Sequence, residues 1–269
     1  MSEKTASSGG AVDPVWDSVR AAALAEAARE PALRGFLEAA VLDRPSLESA
    51  CGYVIAEKLA TRHVPAAALL EVFDAACSDA PEIGIAARAD LEAVVDRDPA
   101  STGLHGPLLF GKGFHALQTH RVAHWLWSRE RRLLAQHLQS RSSEVFGVDI
   151  HPAARIGRGI FIDHATSVVI GETSVVEDAV SLLHEVTLGG TDKQVGDRHP
   201  KIRRGVLICA GAKVLGNVEV GEGAKVGAGS VVLEAVPPHC TVAGVPAAVV
   251  GHPRVEQPAL EMDQRLTSD

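Results

Sequence analysis

Aliphatic residues recur every six positions through the second half of the chain, from Ile150 to about Val250. They keep three successive frames, made up of Ile150, Ile156 and Ile162; Ile170, Val176, Leu182 and Leu188; and Ile202, Ile208, Val214, Val220, Val226 and Val232. Helices repeat at about 3.6 residues and strands at about 2, so neither explains this period. The pattern is typical of a solenoid in which each hexapeptide forms a short strand and a corner, and the aliphatic side chains stack inward.

Glycine and other small residues follow many of the aliphatic positions, as in the segments 156–159 and 226–230. Tight corners favour glycine because it reaches positive φ without a steric cost. The alternative is a glycine-rich sandwich of strands, but sandwich strands do not hold one frame over six repeats. The pattern therefore favours a solenoid of triangular coils.

The first half of the chain has helical patterns instead. Asp13 and Pro14 are an N-cap and a first-turn proline before an alanine-rich run, which marks a helix start. Further patterns predict the following helices: 15–30, 32–42, 46–62, 66–77, 81–95 and 112–139. Residues 96–99 end the fifth, because the residue before a proline is pushed out of helical space.

The composition changes abruptly after Gly147, where leucine, alanine and arginine give way to valine, isoleucine and glycine. The predicted organisation is a disordered lead-in at 1–12, an α-helical domain at 13–143, the solenoid domain at 144–250 and a tail at 251–269. The predicted fold class is therefore α+β, with an all-α N-terminal domain followed by a parallel β-solenoid.

Bulk composition limits the classes of partner. The chain has 269 residues, a formal charge of −8 and a pI near 5.8, so it has no general attraction for nucleic acid or an anionic membrane surface. Its four cysteines, Cys51, Cys77, Cys209 and Cys240, form no CxxC motif, which favours free thiols in a reducing compartment. We find no signal peptide and no long apolar run, and expect a cytoplasmic protein.

Two interruptions of the six-residue frame mark candidate functional loops. Two extra residues lie between Ile162 and Ile170, and a longer insertion lies between Leu188 and Ile202. Insertions in a solenoid become loops on a rigid scaffold, which is where function is usually placed. The first interruption contains Asp163 and His164, and the second contains residues 196–201.

Both interruptions and several other segments carry the motifs of a known family. In the second half these are 149–157 (DIHPAARIG), 162–166 (IDHAT), 186–191 (VTLGGT), 196–202 (GDRHPKI) and 243–247 (AGVPA); in the first half they are 97–100 (RDPA), 112–118 (KGFHALQ) and 124–127 (HWLW). The chain resembles serine O-acetyltransferase, a hexapeptide-repeat acyltransferase, over nearly its whole length. The resemblance implies a left-handed parallel β-helix, and transfer of acetyl from acetyl-CoA to the hydroxyl of L-serine on the way to cysteine.

An alcohol is a poor nucleophile at neutral pH, so a positioned base must take its proton as the thioester is attacked. His164 is the candidate, because imidazoles accept protons in this pH range. The resemblance implies that Asp149 orients His164 and stabilises the imidazolium. In an ideal coil of about 18 residues Asp149 lies over Ser167, roughly 10 Å from His164 at strand rise, so the pair requires irregular geometry.

A serine zwitterion needs a cation for its carboxylate and an anion for its ammonium. Arg198 offers a bidentate fork for the first, and Asp98 and Asp163 suit the second. His199 is placed to hydrogen-bond the substrate or the developing oxyanion. Because Asp98 lies in the helical half, we expect the pocket where the two halves meet. The resemblance implies that it is shared with a neighbouring subunit of a homotrimer or a dimer of trimers.

Coenzyme A is expected along the later coils. The candidate contacts are Gly190, Ala210, Lys225 and Ala228, with Lys225 near a phosphate. Ala248 stands where the family often has arginine, and Asp192 where it often has glycine. No metal site is predicted.

Three other functions fit part of the pattern. A γ-type carbonic anhydrase would use histidines on adjacent faces, for which His151, His164, His184 and His199 are available, but their spacing does not repeat one coil apart. A hexapeptide O-acyltransferase acting on homoserine or a sugar is a nearer rival, and a scaffold or regulatory partner of O-acetylserine sulfhydrylase is a third. The resembled family commonly binds that enzyme through a terminal isoleucine, which the given sequence lacks, so we expect weak or absent binding. The resemblance also implies feedback inhibition by L-cysteine in the serine pocket.

Overall fold

The computed structural model describes residues 12–191, 193 and 195–266. Of the lead-in predicted to be disordered, only Val12 falls within this part of the chain. The last three residues, which bear on the expectation about the sulfhydrylase, lie outside it, as does Asp192.

The described first part of the chain is helical, as expected. Its α-helices are α1 Pro14–Arg29, α2 Arg34–Leu37, α3 Leu47–Leu59, α4 Ala66–Asp79, α5 Glu82–Arg97, α6 His105–Phe110, α7 Lys112–Ser128 and α8 Arg132–Phe146, with a 3-10 turn at Pro31–Leu33 and a π-helical turn at Glu38–Leu42. α1 begins as predicted, because the Asp13 carboxylate accepts a hydrogen bond from the Trp16 amide at 3.2 Å.

Two helical segments differ from the expected pattern. α6 forms between the helices predicted at 81–95 and 112–139, where no helix was predicted, and its Pro107 lies in the first turn, where proline is tolerated. The single helix expected over 112–139 is divided into α7 and α8, since Glu130 takes a φ of 58° and ends the helical path.

The second part is a solenoid of three sheets, here called sheets A, B and C. Sheet A contains β1 Val148–Ile150, β4 Val168–Ile170, β7 Thr187–Gly189, β10 Lys213–Leu215 and β13 Val231–Val232; sheet B contains β2 Arg155–Ile156, β5 Val175–Val176, β8 Lys201–Ile202 and β11 Glu219–Val220; sheet C contains β3 Phe161–Ile162, β6 Ser181–Leu182, β9 Leu207–Ile208, β12 Lys225–Val226, β14 Thr241–Gly244 and β15 Ala247–Gly251. Every pairing between coils is parallel, and only β14 and β15 pair antiparallel. Each coil passes through all three sheets in turn.

The inward aliphatic residues form the core that the six-residue period predicts. Ile170, Leu188, Val214 and Val232 stack in successive coils of sheet A and are at most 2% exposed. Burying one such side chain stabilises the fold by roughly 1.5–3 kcal/mol. This core is continuous with that of the helices.

A buried ionic network joins the helices to the first coil. The Asp90 carboxylate of α5, which is fully buried, accepts hydrogen bonds from Arg121 Nη2 of α7 at 2.6 Å and from the Ile160 amide at 2.9 Å. Arg121 Nη2 also donates to Gly157 O at 2.7 Å. The network therefore fixes α5 and α7 against the solenoid, next to the first interruption of the repeat.

The C-terminal segment lies on the outer face of sheet C. Its short helix α9, Pro258–Glu261, is held where Ser181 Oγ donates to Ala259 O at 2.8 Å. Met262 packs on Leu183, Leu207 and Cys209. This face of the solenoid is thereby covered.

Candidate active site

The first loop, residues 163–167 between β3 and β4, carries the predicted base at the corner between sheets C and A. His164, Ala165 and Ser167 have φ values of 54°, 60° and 62°, in the left-handed region that non-glycine residues rarely occupy. The Ala165 amide donates to Asp163 O at 2.6 Å and the Thr166 amide to His164 O at 2.7 Å, so two tight turns follow one another. The His164 side chain is 73% exposed. Backbone strain of this kind is concentrated at functional sites.

A cavity of about 820 Å³ opens beside the first loop, between the helices and the solenoid. Asp98, Asp163 and His164 all line it, and His164 Nε2 lies 3.8 Å from Asp163 Oδ2. Burial raises the pKa of Asp163, and the negative charge of Asp98 adds to the increase, while His164 opposes it. This concentration of negative charge suits a bound ammonium group.

The start of α7 forms one wall of this cavity by lying directly on the end of β3. A Cβ added at Gly113 would lie 2.1 Å from Ile162 O, so the approach requires glycine. Lys112 therefore reaches the first loop, where its ammonium donates to Thr166 Oγ1. It places a cation at the edge of the acidic cavity.

His164 heads a column of residues along the corner between sheets C and A. The register of sheet C places His184, Ala210 and Ala228 below it in successive coils. The imidazoles of His164 and His184 meet edge to face, with centroids 5.7 Å apart. Main-chain hydrogen bonds join successive coils along the column: the Gly211 amide donates to His184 O at 3.0 Å, and the Gly229 amide donates to Ala210 O at 2.8 Å. Two alanines leave this edge open below the two histidines.

The second loop, residues 190–200 between β7 and β8, carries Arg198 and His199 at the corner between sheets A and B. Arg198 Nη2 donates to Glu172 Oε2 at 2.7 Å, and this bond lowers the pKa of Glu172. Burial, reinforced by the positive charge of Arg198, lowers the pKa of His199, which is 7% exposed. His199 is therefore a neutral imidazole beside a guanidinium.

The two loops occupy different corners of one protomer. Asp98, Asp163 and His164 meet at the first loop, whereas Arg198 and His199 lie across sheet A from them. The protomer therefore gathers the groups for an ammonium and a base at one corner, and the groups for a carboxylate at another.

Asp149 lies in neither loop. It faces outward on β1, where its Oδ1 accepts a hydrogen bond from Gln139 Nε2 of α8 at 2.7 Å. Its partner in the register is Val169, because the first coil takes 20 residues from Val148 to Val168 rather than the 18 of an ideal coil. The expected stacking over Ser167 is thus wrong by the two inserted residues. Within the part of the protomer that the structure describes, no contact joins Asp149 to His164.

The four predicted coenzyme contacts lie in three places. Ala210 and Ala228 belong to the column below His164, and Gly190 lies beside His199, where an added Cβ would be 3.7 Å from its Nε2. Lys225 lies on the covered face of sheet C. Its ammonium donates to the carbonyl oxygens of Asp263 at 3.2 Å and Arg265 at 2.5 Å. That charge is therefore engaged by the tail in this structure.

Four side chains beside the predicted site residues were not assigned to the acetyltransferase site from the sequence: Lys112, Glu172, Thr173 and His184. His184 was considered only as a zinc ligand. Its place below His164 was detectable in principle, because the 20 residues between them equal one coil that contains the two-residue insertion. The contacts of Glu172 and Thr173 depend on the path of a loop, which a hexapeptide frame does not specify.

Two further surveys bear on the predicted classes. Among residues 12–191, 193 and 195–266, no group of three or more histidine, cysteine, aspartate or glutamate side chains is arranged to hold a metal ion. Within the same residues, no helix combines the length and apolar character needed to cross a membrane.

Comparison with protein families gives two matches. Residues 15–119 match the family model "Serine acetyltransferase, N-terminal", and residues 199–234 match "Bacterial transferase hexapeptide (six repeats)". Among curated proteins, the serine acetyltransferase of Salmonella typhimurium is 56% identical over 252 residues, which is 94% of this chain and 92% of the relative. That of Escherichia coli K12 is 55% identical over the same shares.

Solved structures extend the similarity to the fold. A serine acetyltransferase of Brucella abortus in complex with coenzyme A superposes with a TM-score of 0.88 at 56% identity, covering 90% of this chain and 96% of that one. A serine acetyltransferase in complex with cysteine has a TM-score of 0.92 at 50% identity, covering 93% and 98%. The Neisseria gonorrhoeae enzyme in complex with serine has a TM-score of 0.86 at 48% identity, covering 88% and 98%.

Proposed function

This chain belongs to the serine acetyltransferase family, and from that membership and the geometry of its two loops we propose how its residues share the reaction. The reaction is transfer of acetyl from acetyl-CoA to the hydroxyl of L-serine, which gives O-acetyl-L-serine and CoA for cysteine biosynthesis. The predicted fold class is confirmed: a helical N-terminal domain is followed by a left-handed parallel β-helix.

His164 is the general base that takes the proton of the serine hydroxyl. Three observations support this role: its strained backbone, its exposed imidazole and its place on the wall of the acidic cavity. A base must reach the proton it removes, so an exposed ring over an open cavity suits the task. When the thiolate leaves, the imidazolium can return the proton to it.

The substrate ammonium binds between Asp98 and Asp163, and its carboxylate binds Arg198. The raised pKa of Asp163 supports the first assignment, because a bound ammonium would offset both the burial of this carboxylate and its repulsion by Asp98. The fork of Arg198 supports the second. A sugar has neither charge, so this combination of charges disfavours a sugar acceptor.

The complete site forms between protomers of a homotrimer. The observation that carries this proposal is the separation of the two loops: a serine is far too small to span sheet A within one protomer. Around a threefold axis, the corner between sheets A and B of one prism can face the corner between sheets C and A of the next. Large hydrophobic side chains are exposed on the solenoid, namely Val169, Leu233, Val245, Val249 and Val250, which supports such a contact. The helices would then join two trimers.

Asp149 orients the His164 imidazole across the same contact. It is half-buried and faces outward from sheet A beside its exposed row neighbour Val169, and among the described residues only its Oδ1 accepts a hydrogen bond, which leaves Oδ2 for an adjoining protomer. A carboxylate on one ring nitrogen would stabilise the imidazolium formed during the reaction.

The acyl donor lies along the column below His164. The small side chains of Ala210 and Ala228 support this placement, because they leave room for a pantetheine arm against the main chain. Gly190 would serve the part of the donor near the second loop. A phosphate contact by Lys225 would require the tail to release its ammonium.

L-cysteine inhibits by occupying the serine pocket, since it carries the same two charges and differs by one atom. We also infer a cytoplasmic location from the four cysteines, which are free in this structure.

The test of the shared site is complementation between two impaired variants, His164→Ala and Arg198→Ala, assayed by thiol release from acetyl-CoA at an L-serine concentration far below the KM of Arg198→Ala, where both variants are nearly inactive. If each site takes His164 from one protomer and Arg198 from its neighbour, random mixed trimers regain about one quarter of the parental activity. If each protomer holds a whole site, the mixture stays as inactive as its parts. Each variant mixed with itself is the matched control.

A further inference from the structure

Residues 171–173 form the turn between β4 and β5, at the same corner as the second loop. The pairing of Val175 with Lys201 brings Thr173 opposite His199 in the adjoining coil. This turn is therefore the nearest part of the scaffold to Arg198 and His199.

The Thr173 hydroxyl binds the main chain of both Arg198 and His199. Its Oγ1 accepts a hydrogen bond from the Arg198 amide at 3.0 Å and from the His199 amide at 3.1 Å. Oγ1 also lies 2.9 Å from His199 Nδ1. Since the oxygen already accepts two amides, its own hydrogen is left to donate, either to Nδ1 or to the nearby Asp197 carboxylate.

The Thr173 main chain decides which nitrogen of His199 carries a proton. The Thr173 amide donates to Nδ1 at 3.2 Å, so Nδ1 is an acceptor and carries no hydrogen. Burial and Arg198 keep the pKa of His199 low, so the ring is neutral at physiological pH and holds its one proton on Nε2. Among the described residues, the charged groups that act on this ring are Arg198, Glu172 and Lys201, and a further titratable group is His151, whose own pKa is lowered by burial.

The Nε2 edge of the ring lies between two glycines. A Cβ at Gly171 would lie 2.1 Å from Cδ2 and 2.2 Å from Nε2, and one at Gly190 would lie 3.7 Å from Nε2. Within residues 12–191, 193 and 195–266, Nε2 has no hydrogen-bond partner. The scaffold thus leaves one donor of a buried imidazole unused.

We propose that Gly171 and Thr173 are positioning residues that hold His199 as a hydrogen-bond donor, with its Nε2–H presented beside Gly190 to an acceptor oxygen of the reacting groups. The inference rests on the proposed function of the second loop. The two histidines then have different roles: His164 accepts a proton, whereas His199 donates a hydrogen bond and keeps its proton. A fixed donor of this kind stabilises charge that develops on oxygen as the acetyl group is transferred.

Two amide replacements of the imidazole test the donor. The amide nitrogen of His199→Gln falls near the place of Nε2, whereas that of His199→Asn falls near Nδ1. We expect His199→Gln to keep at least about tenfold more kcat/KM for L-serine than His199→Asn, the scale of one hydrogen bond to a developing charge. Equal values for the two variants would overturn the inference.

Substitutions in the turn test the positioning. Thr173→Val is close to isosteric and removes the acceptor of two amides, so kcat/KM for L-serine should fall about tenfold while KM for acetyl-CoA stays at the parental value. Thr173→Ser should restore it. Gly171→Ala should reproduce the loss, because its Cβ overlaps the ring, and Gly35→Ala, where a Cβ meets nothing within 4 Å, is the matched control. Parental kinetics in both Thr173→Val and Gly171→Ala would refute the role.

Arg198→Ala separates this inference from the function on which it rests. If that variant leaves the L-serine KM unchanged, the second loop does not bind the substrate and both proposals fail. If the KM rises while the Gln and Asn variants of His199 behave alike, the loop binds substrate and only the donor role is wrong.

Discussion

The two loops differ in how far their side chains are fixed before a substrate arrives. At the first loop, the His164 side chain is 73% exposed and its carboxylate neighbour lies 3.8 Å away. At the second loop, Arg198 pairs with Glu172 at 2.7 Å, and Thr173 holds the buried ring of His199. The first loop is open and strained, whereas Arg198 and His199 of the second are bonded to the neighbouring turn at 172–173.

This difference follows from what each loop must do. A general base must reach its substrate, take a proton from it and later release that proton. It therefore needs open space and a ring nitrogen without a hydrogen-bond partner. Groups that bind charge or donate to it act best when their geometry is set beforehand, because no ordering cost then falls on the bound state. The first loop is therefore the candidate for chemistry, and the second for recognition.

The largest expected effect is at the first loop. His164→Ala should lower kcat about a thousandfold, the scale of general-base catalysis, with little change in either KM. Thiol release measured under saturation with both substrates gives kcat directly. His63→Ala, at an exposed histidine between α3 and α4, is the control. A parental kcat in His164→Ala would show that His164 is not the general base.

The next largest effect concerns the ion pair that fixes α5 and α7, the helices beside the cavity at the first loop. Asp90→Asn leaves the buried Arg121 without its carboxylate, which should destabilise the docking of α5 and α7 by about 3 kcal/mol. Hydrogen exchange should rise in α5 and around Asp98, but not at the second loop, whose contacts come from the solenoid. Glu144→Gln removes an exposed ion pair with Arg141 and should change little. An equal rise in hydrogen exchange at both loops would show that the second loop also depends on the docking of α5 and α7.

Arg198→Ala measures recognition at the second loop. It should raise the L-serine KM about 10- to 100-fold, as expected for losing hydrogen bonds between charged groups, and leave the acetyl-CoA KM near its parental value. Initial rates with each substrate varied in turn give both constants. Arg204→Ala changes an exposed arginine near the same sheet and serves as the control. An equal rise in both KM values would mean that Arg198 supports the fold of the site rather than the serine carboxylate.

The sequence predicts the solenoid better than it predicts the loops. A period of six needs only the aliphatic positions, and Ile170, Leu188 and Val214 stack where that period puts them. The same frame misplaced Asp149 opposite Ser167, because it did not count the two inserted residues as part of the coil. A repeat gives the position of residues that obey it, and the functional loops are the places that do not.

The candidate site also has a part that the sequence predicted and a part that it did not. His164, Asp163 and Asp98 were predicted from their motifs and do share one cavity. The sequence did not reveal that Arg198 and His199 lie at another corner, because the corner on which a loop falls depends on the number of residues in each preceding coil. Nor did it assign Thr173 or Glu172 to the site, since their contacts come from the folded path of the second loop.

The smallest effect concerns the ion pair that fixes the second loop. The hydrogen bond from Arg198 lowers the pKa of Glu172 below its ordinary value of 4.5, so the pair contributes stability above that pH, and the contribution is lost as the pH falls through the lowered value. Because the Glu172 side chain is 38% exposed, we expect only about 0.5 kcal/mol. Glu172→Gln should therefore melt about 1 °C below the parent at pH 7, and the difference should shrink as the pH falls through the lowered pKa of Glu172. A difference that persisted unchanged into acid would show that the charge of Glu172 does not hold Arg198, and the position of Arg198 would then depend on the hydrogen bond from its amide to Thr173 Oγ1.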